Sequence, residues 1–201
     1  FSNIWPISFF SFEDLRLFFS LVLIAISCII MGAGIPTTAT YIILVAVAAP
    51  ALAQLGIEPL VAHFFVFYYG VLADITPPVA LAAYAASGIA KSNPFKTGNT
   101  AFRLGIAKAL VPFVFVYSPS LLLITGEFQT NQLIITLIGT LIGIALIGIA
   151  FSGYWFRPLK KYEQTIIGIG SLFFVAPGIV SMAFGMLIIL PMLFLQFLKK
   201  N

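Results

Sequence analysis

Apolar residues fall in six long runs with short polar breaks between them: residues 17–31, 39–57, 59–90, 101–125, 132–156 and 165–198. A helix that crosses the hydrocarbon core of a bilayer needs about 20 predominantly apolar residues, and most of these runs are of that order. The period-2 alternation of a membrane barrel strand is absent. The pattern predicts an all-α, polytopic membrane protein. Some runs are themselves interrupted. The third carries Asp74-Ile75-Thr76-Pro77-Pro78, the fourth Pro112 and Pro119, and the sixth Pro177-Gly178. Between the first and second lies Gly32-Ala33-Gly34-Ile35-Pro36-Thr37-Thr38, with no charge in it.

Composition sharpens this reading. The chain has 201 residues, 61% hydrophobic and 8% charged, against about half apolar and a quarter charged in soluble domains. That excludes an ordinary water-soluble globule and a disordered chain. The single cysteine, Cys28, lies inside an apolar run, which excludes a disulfide framework and a cysteine metal cluster. The net charge of +4 is small and scattered. It argues against a nucleic-acid partner and reads as membrane topology, with lipid as the surroundings. The chain starts at Phe1, and residues 1–11 lack the basic start and cleavage site of a signal peptide. The expectation is a piece of a longer protein.

Positive charge predicts the cytoplasmic side. Arg157, Lys160 and Lys161 separate the fifth and sixth runs, and Lys91, Lys96, Arg103 and Lys108 follow the third. Glu127, alone between the fourth and fifth runs, fits the outside, and parity then places Glu58 outside. The first two runs form a hairpin that returns to that side, with Glu13 and Asp14 near its start. Its uncharged turn favours a re-entrant hairpin over two full spans, although both return the chain to the same side. Lys199 and Lys200 favour an inside C-terminus, which would make the sixth run two shorter helices bent at Pro177-Gly178. The expected organisation is hairpin plus broken transmembrane helix over 1–90 and C-terminal transmembrane helices over 91–201.

The breaks are where chemistry can occur. Gly and Pro free backbone amides and carbonyls, and inside lipid these groups survive only buried in protein or lining a cavity. At the first break Gly32, Ala33 and Gly34 let the chain turn, Pro36 suits the first position of the next helix, and Thr37 and Thr38 add hydroxyls. A helix C-terminus there carries partial negative charge and the next N-terminus partial positive charge. One loop can hold a cation on one side and face an anion on the other; a plain helix–helix turn has the same residues. At the second break Asp74 is an ionisable group at a costly depth. Thr76 followed by Pro77 suits the start of a new half-helix. Asp74 has three readings: cation ligand, cap of the following amides, or partner of a buried base. Backbone carbonyls near Gly32–Gly34 and around Leu72, Ala73 and Asp74 are the expected ligands for a hard cation. His63, the only histidine, lies about 16 Å from Asp74 along a helix, too far for a proton relay. Tyr68 and Tyr69 read as aromatics packed between helices or lining a path. Arg103 and Lys108 read as snorkelling to the cytoplasmic surface.

The segments Gly32-Ala33-Gly34-Ile35-Pro36-Thr37-Thr38-Ala39, His63-Phe64-Phe65-Val66-Phe67-Tyr68-Tyr69-Gly70 and Asp74-Ile75-Thr76-Pro77-Pro78-Val79-Ala80 resemble the large membrane subunit of TRAP transporters, the tripartite ATP-independent periplasmic transporters. The likeness is to the TAXI branch, whose membrane subunits are often fused. It continues through Asn99-Thr100-Ala101-Phe102-Arg103-Leu104-Gly105 and Pro112-Phe113-Val114-Phe115-Val116-Tyr117 and is weaker over the tail.

The resemblance implies two inverted repeats, each with a re-entrant hairpin and a broken helix, moving an organic acid by a sodium-driven elevator motion in the bacterial inner (cytoplasmic) membrane. It implies three partners: a periplasmic substrate-binding protein, a small membrane subunit or its fused equivalent, and the rest of the same permease. This chain would hold the second hairpin, 17–56, and the second broken helix, 59–90. No organic cofactor is expected. The coupling sodium is expected at Gly32, Gly34, Asp74 and Thr76, and the wider cation and substrate site at Gly32 to Thr38, Leu72, Ala73, Asp74, Thr76, Pro77 and Pro78. Two alternatives stand beside this reading. One is an intramembrane enzyme using Asp74, although no second aspartate at depth, nor a Ser, Cys or His set, completes a catalytic site. The other is a purely structural subunit, which leaves the break at Asp74 unexplained.

Overall fold

The computed structural model describes residues 12–123, 130–176 and 178–198. Glu127, Pro177, Lys199 and Lys200, on which parts of the topology reading rest, lie outside the described residues. Among those described, every regular element is helical, apart from an isolated bridge between Tyr154 and Pro158. The helices are α1 (Phe12–Gly32), α2 (Thr37–Gln54), α3 (Pro59–Ala73), α4 (Leu81–Ala90), α5 (Pro94–Gly105), α6 (Val111–Tyr117), α7 (Thr130–Ser152), α8 (Lys161–Val175) and α9 (Ile179–Leu198). A 3₁₀ segment, Ile106–Leu110, joins α5 to α6, and another, Pro119–Leu122, follows α6. Among the described residues, five stretches are long and apolar enough to cross a membrane: Leu15–Gly32, Thr37–Gln54, Pro94–Tyr117, Leu133–Ser152 and Ile179–Phe197.

The first three helices pack as a bundle. Leu21, Ala25 and Cys28 of α1 and Leu44, Ala48 and Leu52 of α2 recur at helical spacing and meet Val61, Phe65, Val66 and Leu72 of α3 in one buried cluster. Large apolar side chains on the other faces, Leu23, Ile30, Ile42 and Val47 among them, are exposed. Such outward apolar faces suit lipid or a neighbouring membrane chain. The fourth run starts earlier than its apolar residues suggest. Asn93 caps α5 by accepting from the Lys96 amide at 3.0 Å, so the helix begins at Pro94, seven residues before the run at 101. Phe113 of α6 reaches back to Phe65 and Tyr69, which ties this segment to the first bundle.

Helices α7, α8 and α9 form a second bundle. Gly143 lets α7 approach α8 closely: a Cβ there would stand 2.6 Å from Cγ2 of Val175 and 3.1 Å from the Ser171 carbonyl. Small residues serve this purpose in membrane helix pairs. The α8 N-terminus is pinned to the end of α9. Glu163 accepts two bonds from Arg157 (2.6 and 3.2 Å), one from the Lys160 amide (2.8 Å) and one from Nε2 of the buried Gln196 (3.2 Å). Helices α8 and α9 therefore run antiparallel, and the last turns of α9 return to the basic loop that carries Arg157 and Lys160.

Candidate functional site

The ends of α1 and α3 meet. Gly32 closes α1 and Ala73 closes α3, and a Cβ built on Gly32 would stand 3.1 Å from the Ala73 Cβ. Gly34, in the turn, faces Val79 of the second break, with Cγ1 at 3.3 Å from its added Cβ. Gly34 has φ +84°, a left-handed conformation that glycine adopts without cost. The structure thus brings Gly32, Gly34, Ala73 and Val79 together at one level, with Asp74 next in sequence to Ala73.

Backbone bonding at the two breaks sets what is free. In the first, the amide of Ile35 donates to the Gly32 carbonyl (3.3 Å) and the amide of Thr40 to the Pro36 carbonyl (2.9 Å). Pro36 occupies the capping position, not the first helical one, and Thr37 begins α2. In the second, the Leu72 carbonyl accepts from the Ile75 amide (3.2 Å) and from Oγ1 of Thr76 (2.7 Å), Ala73 accepts from the Thr76 amide (3.1 Å), and Asp74 accepts from the Ala82 amide (3.1 Å). Of the carbonyls singled out from sequence, those of Gly32, Leu72, Ala73 and Asp74 are thus engaged in turns, and Leu72 accepts from two donors, which fills both its lone pairs. Among the described residues, no hydrogen bond reaches the carbonyls of Ala33, Gly34, Ile75, Pro77 or Val79.

The second break is longer than Thr76-Pro77 suggests. Helix α4 begins at Leu81, with Ala80 at its cap, so Thr76 and Pro77 do not start it. Pro77 and Pro78 lack amide hydrogens, and Thr76, which precedes a proline, is biased away from helical backbone. Thr76 instead bends its hydroxyl back to the carbonyl of Leu72. No side-chain cap is made at α4, so the carboxylate of Asp74 does not cap it. Asp74 is half-buried, and among the described residues its carboxylate has no hydrogen bond or ion pair. Pro78 is held through its carbonyl, which accepts from the Tyr84 hydroxyl at 2.6 Å.

Thr37 and Thr38 are exposed, and the buried hydroxyl at this place belongs to Thr40. Its Oγ1 donates to the Ile35 carbonyl at 3.1 Å, and its methyl lies against the open faces of Gly32 and Gly70. Thr40 stands one helical turn beyond Thr37, and no local motif singles it out. His63 pairs with Tyr41: Nδ1 and the hydroxyl are 2.8 Å apart, across α2 and α3. The Tyr69 hydroxyl donates to the Ala109 carbonyl, and Tyr68 packs on Phe67 and Phe115. These aromatics stitch helices together. Arg103 is exposed and donates to the Phe151 carbonyl at 3.0 Å.

Oxygen is the donor available at the paired breaks. Among the described residues, no three His, Cys, Asp or Glu side chains cluster, so carbonyls, the Asp74 carboxylate and threonine hydroxyls make up the donor set. That chemistry suits a hard cation such as sodium better than a soft metal.

Apolar helices with outward apolar faces, and two chain breaks packed against one another, define a multi-pass membrane protein. Residues 10–130 match the family model described as the tripartite ATP-independent periplasmic transporter, DctM component, and the chain belongs to that family. No curated protein and no solved structure matches it. The family is one of TRAP transporter permeases, not of enzymes, and its members normally work with a periplasmic binding protein and a small membrane subunit.

Proposed function

We propose that the chain is the C-terminal part of a sodium-coupled TRAP permease of the TAXI or fused branch, in the bacterial inner membrane. It takes up an organic acid handed over by a periplasmic substrate-binding protein, together with the small membrane subunit or its fused equivalent and the rest of the permease. The observation that carries this reading is the meeting of the α1 and α3 ends at Gly32 and Ala73, beside an Asp74 carboxylate that has no ion pair among the described residues. Carbonyls of Ala33, Gly34 and Ile75 and the Asp74 carboxylate supply oxygen for sodium, and binding of the cation offsets the cost of a charge at depth. The N-terminal amides of α2 face the carboxylate of the substrate. The hairpin of α1 and α2 is re-entrant in this reading. Helix α3 has 15 residues, about 22 Å of rise, so from Glu58 at the outer surface the chain reaches Asp74 before crossing the roughly 30 Å core. Helices α3 and α4 are the two halves of the broken helix.

Uptake into proteoliposomes holding the complete permease tests this. A radiolabelled organic acid should accumulate only with an inward sodium gradient and the binding protein outside. Uptake that proceeds equally when potassium replaces sodium would remove the coupling reading.

A further inference from the structure

We propose that an anionic phospholipid occupies a groove between the 3₁₀ segment Ile106–Leu110, α7 and α8, with its phosphate at Arg103 and Lys161 and one acyl chain along α8. The groove encloses about 520 Å³. Its polar groups gather at one end. Arg103 is held there by its bond to the carbonyl of Phe151, in the last turn of α7. Gln164 and Thr165 lie in the first turns of α8, beside the basic loop. From that mouth the walls become apolar, through Ile147, Leu110 and Leu172.

Positions 161, 165, 168 and 172 form one stripe along α8, and Thr165 donates to the Lys161 carbonyl at 3.1 Å. Exposed Lys161 therefore continues the groove wall to its mouth. From Lys161 to Leu172 the rise is about 16 Å, close to the roughly 15 Å of one leaflet's hydrocarbon. The charge pattern selects the occupant. One of the five guanidinium N–H groups serves the Phe151 carbonyl, and among the described residues the others have no partner. A neighbouring apolar helix brings nothing to pair with that cation, whereas a lipid phosphate at this level does. Gly168 leaves room for the chain: a Cβ there would meet only Cβ of Ala150, at 3.9 Å.

Native mass spectrometry of the assembled permease, released from vesicles of equal parts phosphatidylglycerol and phosphatidylcholine, tests the proposal. The expected result is one phosphatidylglycerol retained per copy in preference to phosphatidylcholine. Arg103→Gln and Lys161→Gln should each weaken retention about fivefold, and Arg103→Lys should restore most of it. Gly168→Leu, which fills the apolar part with both charges in place, should abolish retention while the complex elutes unchanged in size-exclusion chromatography. Equal retention of the two lipids would overturn the proposal. So would retention that survives Gly168→Leu, or a photo-crosslinker at Ile169 that labels protein and not lipid.

Discussion

Gly32, the last residue of α1, lies directly against Ala73, the last residue of α3: a Cβ added at Gly32 would stand 3.1 Å from the Ala73 Cβ and 2.9 Å from Cγ2 of Thr40. No side chain fits there without moving one helix end away from the other. This contact holds the two breaks at one level.

Gly32→Ala should therefore push the ends of α1 and α3 apart, at about 1–3 kcal/mol for an overpacked site. Gly56→Ala is the control. Gly56, unlike Gly32, has a positive φ, +79°, and nothing lies within 4 Å of an added Cβ, so its cost is backbone strain alone, about 1 kcal/mol. Thermal unfolding in detergent should rank Gly32→Ala as the worse, and only that variant should also lose uptake in the assembled permease. Equal behaviour would show that the contact at Ala73 is not what matters.

Thr40 joins three parts of the same junction. Thr40→Val preserves the shape but leaves the Ile35 carbonyl without its 3.1 Å donor, at about 1–3 kcal/mol for a buried acceptor. Thr40→Ser keeps the donor and removes the methyl that packs on Gly32 and Gly70, at about 1 kcal/mol. Both should loosen the tip, seen as faster labelling of a cysteine placed at exposed Thr37. Unchanged labelling in both variants would mean that Thr40 does not hold the turn.

The fold class was legible because a bilayer demands long apolar helices, and such runs are visible without an alignment. The two breaks were legible for a related reason, since Gly34, Pro36, Pro77 and Pro78 announce backbone that cannot remain helical. What each side chain does there was less so. Thr76 reads as a cap by local rule, yet its hydroxyl turns back to Leu72, because the prolines after it delay the next helix to Leu81. Thr40 looks like one more helical threonine until α1 and α3 are placed beside it. The Arg157–Glu163–Gln196 cluster links residues 33 apart in sequence, and neither periodicity nor motif signals such a tertiary pairing.

That cluster carries a pH dependence. Burial pushes the Glu163 carboxyl upward, but hydrogen bonds and charge from Arg157, with help from the Lys160 amide and Gln196, outweigh it and hold the group below its usual range. A depressed folded pKa contributes stability that is complete above the unfolded carboxylate pKa of about 4.3 and is lost as pH falls through the folded value. Melting temperature in detergent should thus drop in acid below about pH 4, and Glu163→Gln should be less stable at pH 7 with a flatter acid limb. Arg157→Met, which strands a buried carboxylate, should cost about 3 kcal/mol at neutral pH. An acid limb unchanged by Glu163→Gln would assign it to other groups.

The depth of the α1–α2 turn is open to a direct measurement. If the hairpin is re-entrant, a cysteine at Thr37 in the complete permease should react with membrane-impermeant thiol reagents only in some transport states, set by sodium and substrate. Rapid labelling from the cytoplasm in every state would make the hairpin two full spans.

The last prediction concerns coupling at Asp74. Its carboxylate is half-buried and without an ion pair among the described residues, while the carbonyls of Ala33, Gly34 and Ile75 nearby are not taken by hydrogen bonds. A cation seated among them would gain from the full charge of Asp74 as well as from the helix-end dipoles of α1 and α3. Asp74→Asn keeps the size and an acceptor oxygen but removes the charge. In the complete permease it should lower apparent sodium affinity about tenfold, a loss of roughly 1.4 kcal/mol, with little change in abundance. Thr76→Val acts by a different route. It removes the donor that holds the Leu72 carbonyl at 2.7 Å, so the last turn of α3 is free to shift and sodium affinity should fall by a smaller factor. The double variant should lose less than the two effects added, because both act on one turn of backbone. Sodium dependence of uptake, measured for all three, separates the outcomes. Wild-type dependence in Asp74→Asn would place the cation elsewhere and leave the junction of α1 and α3 a structural seam.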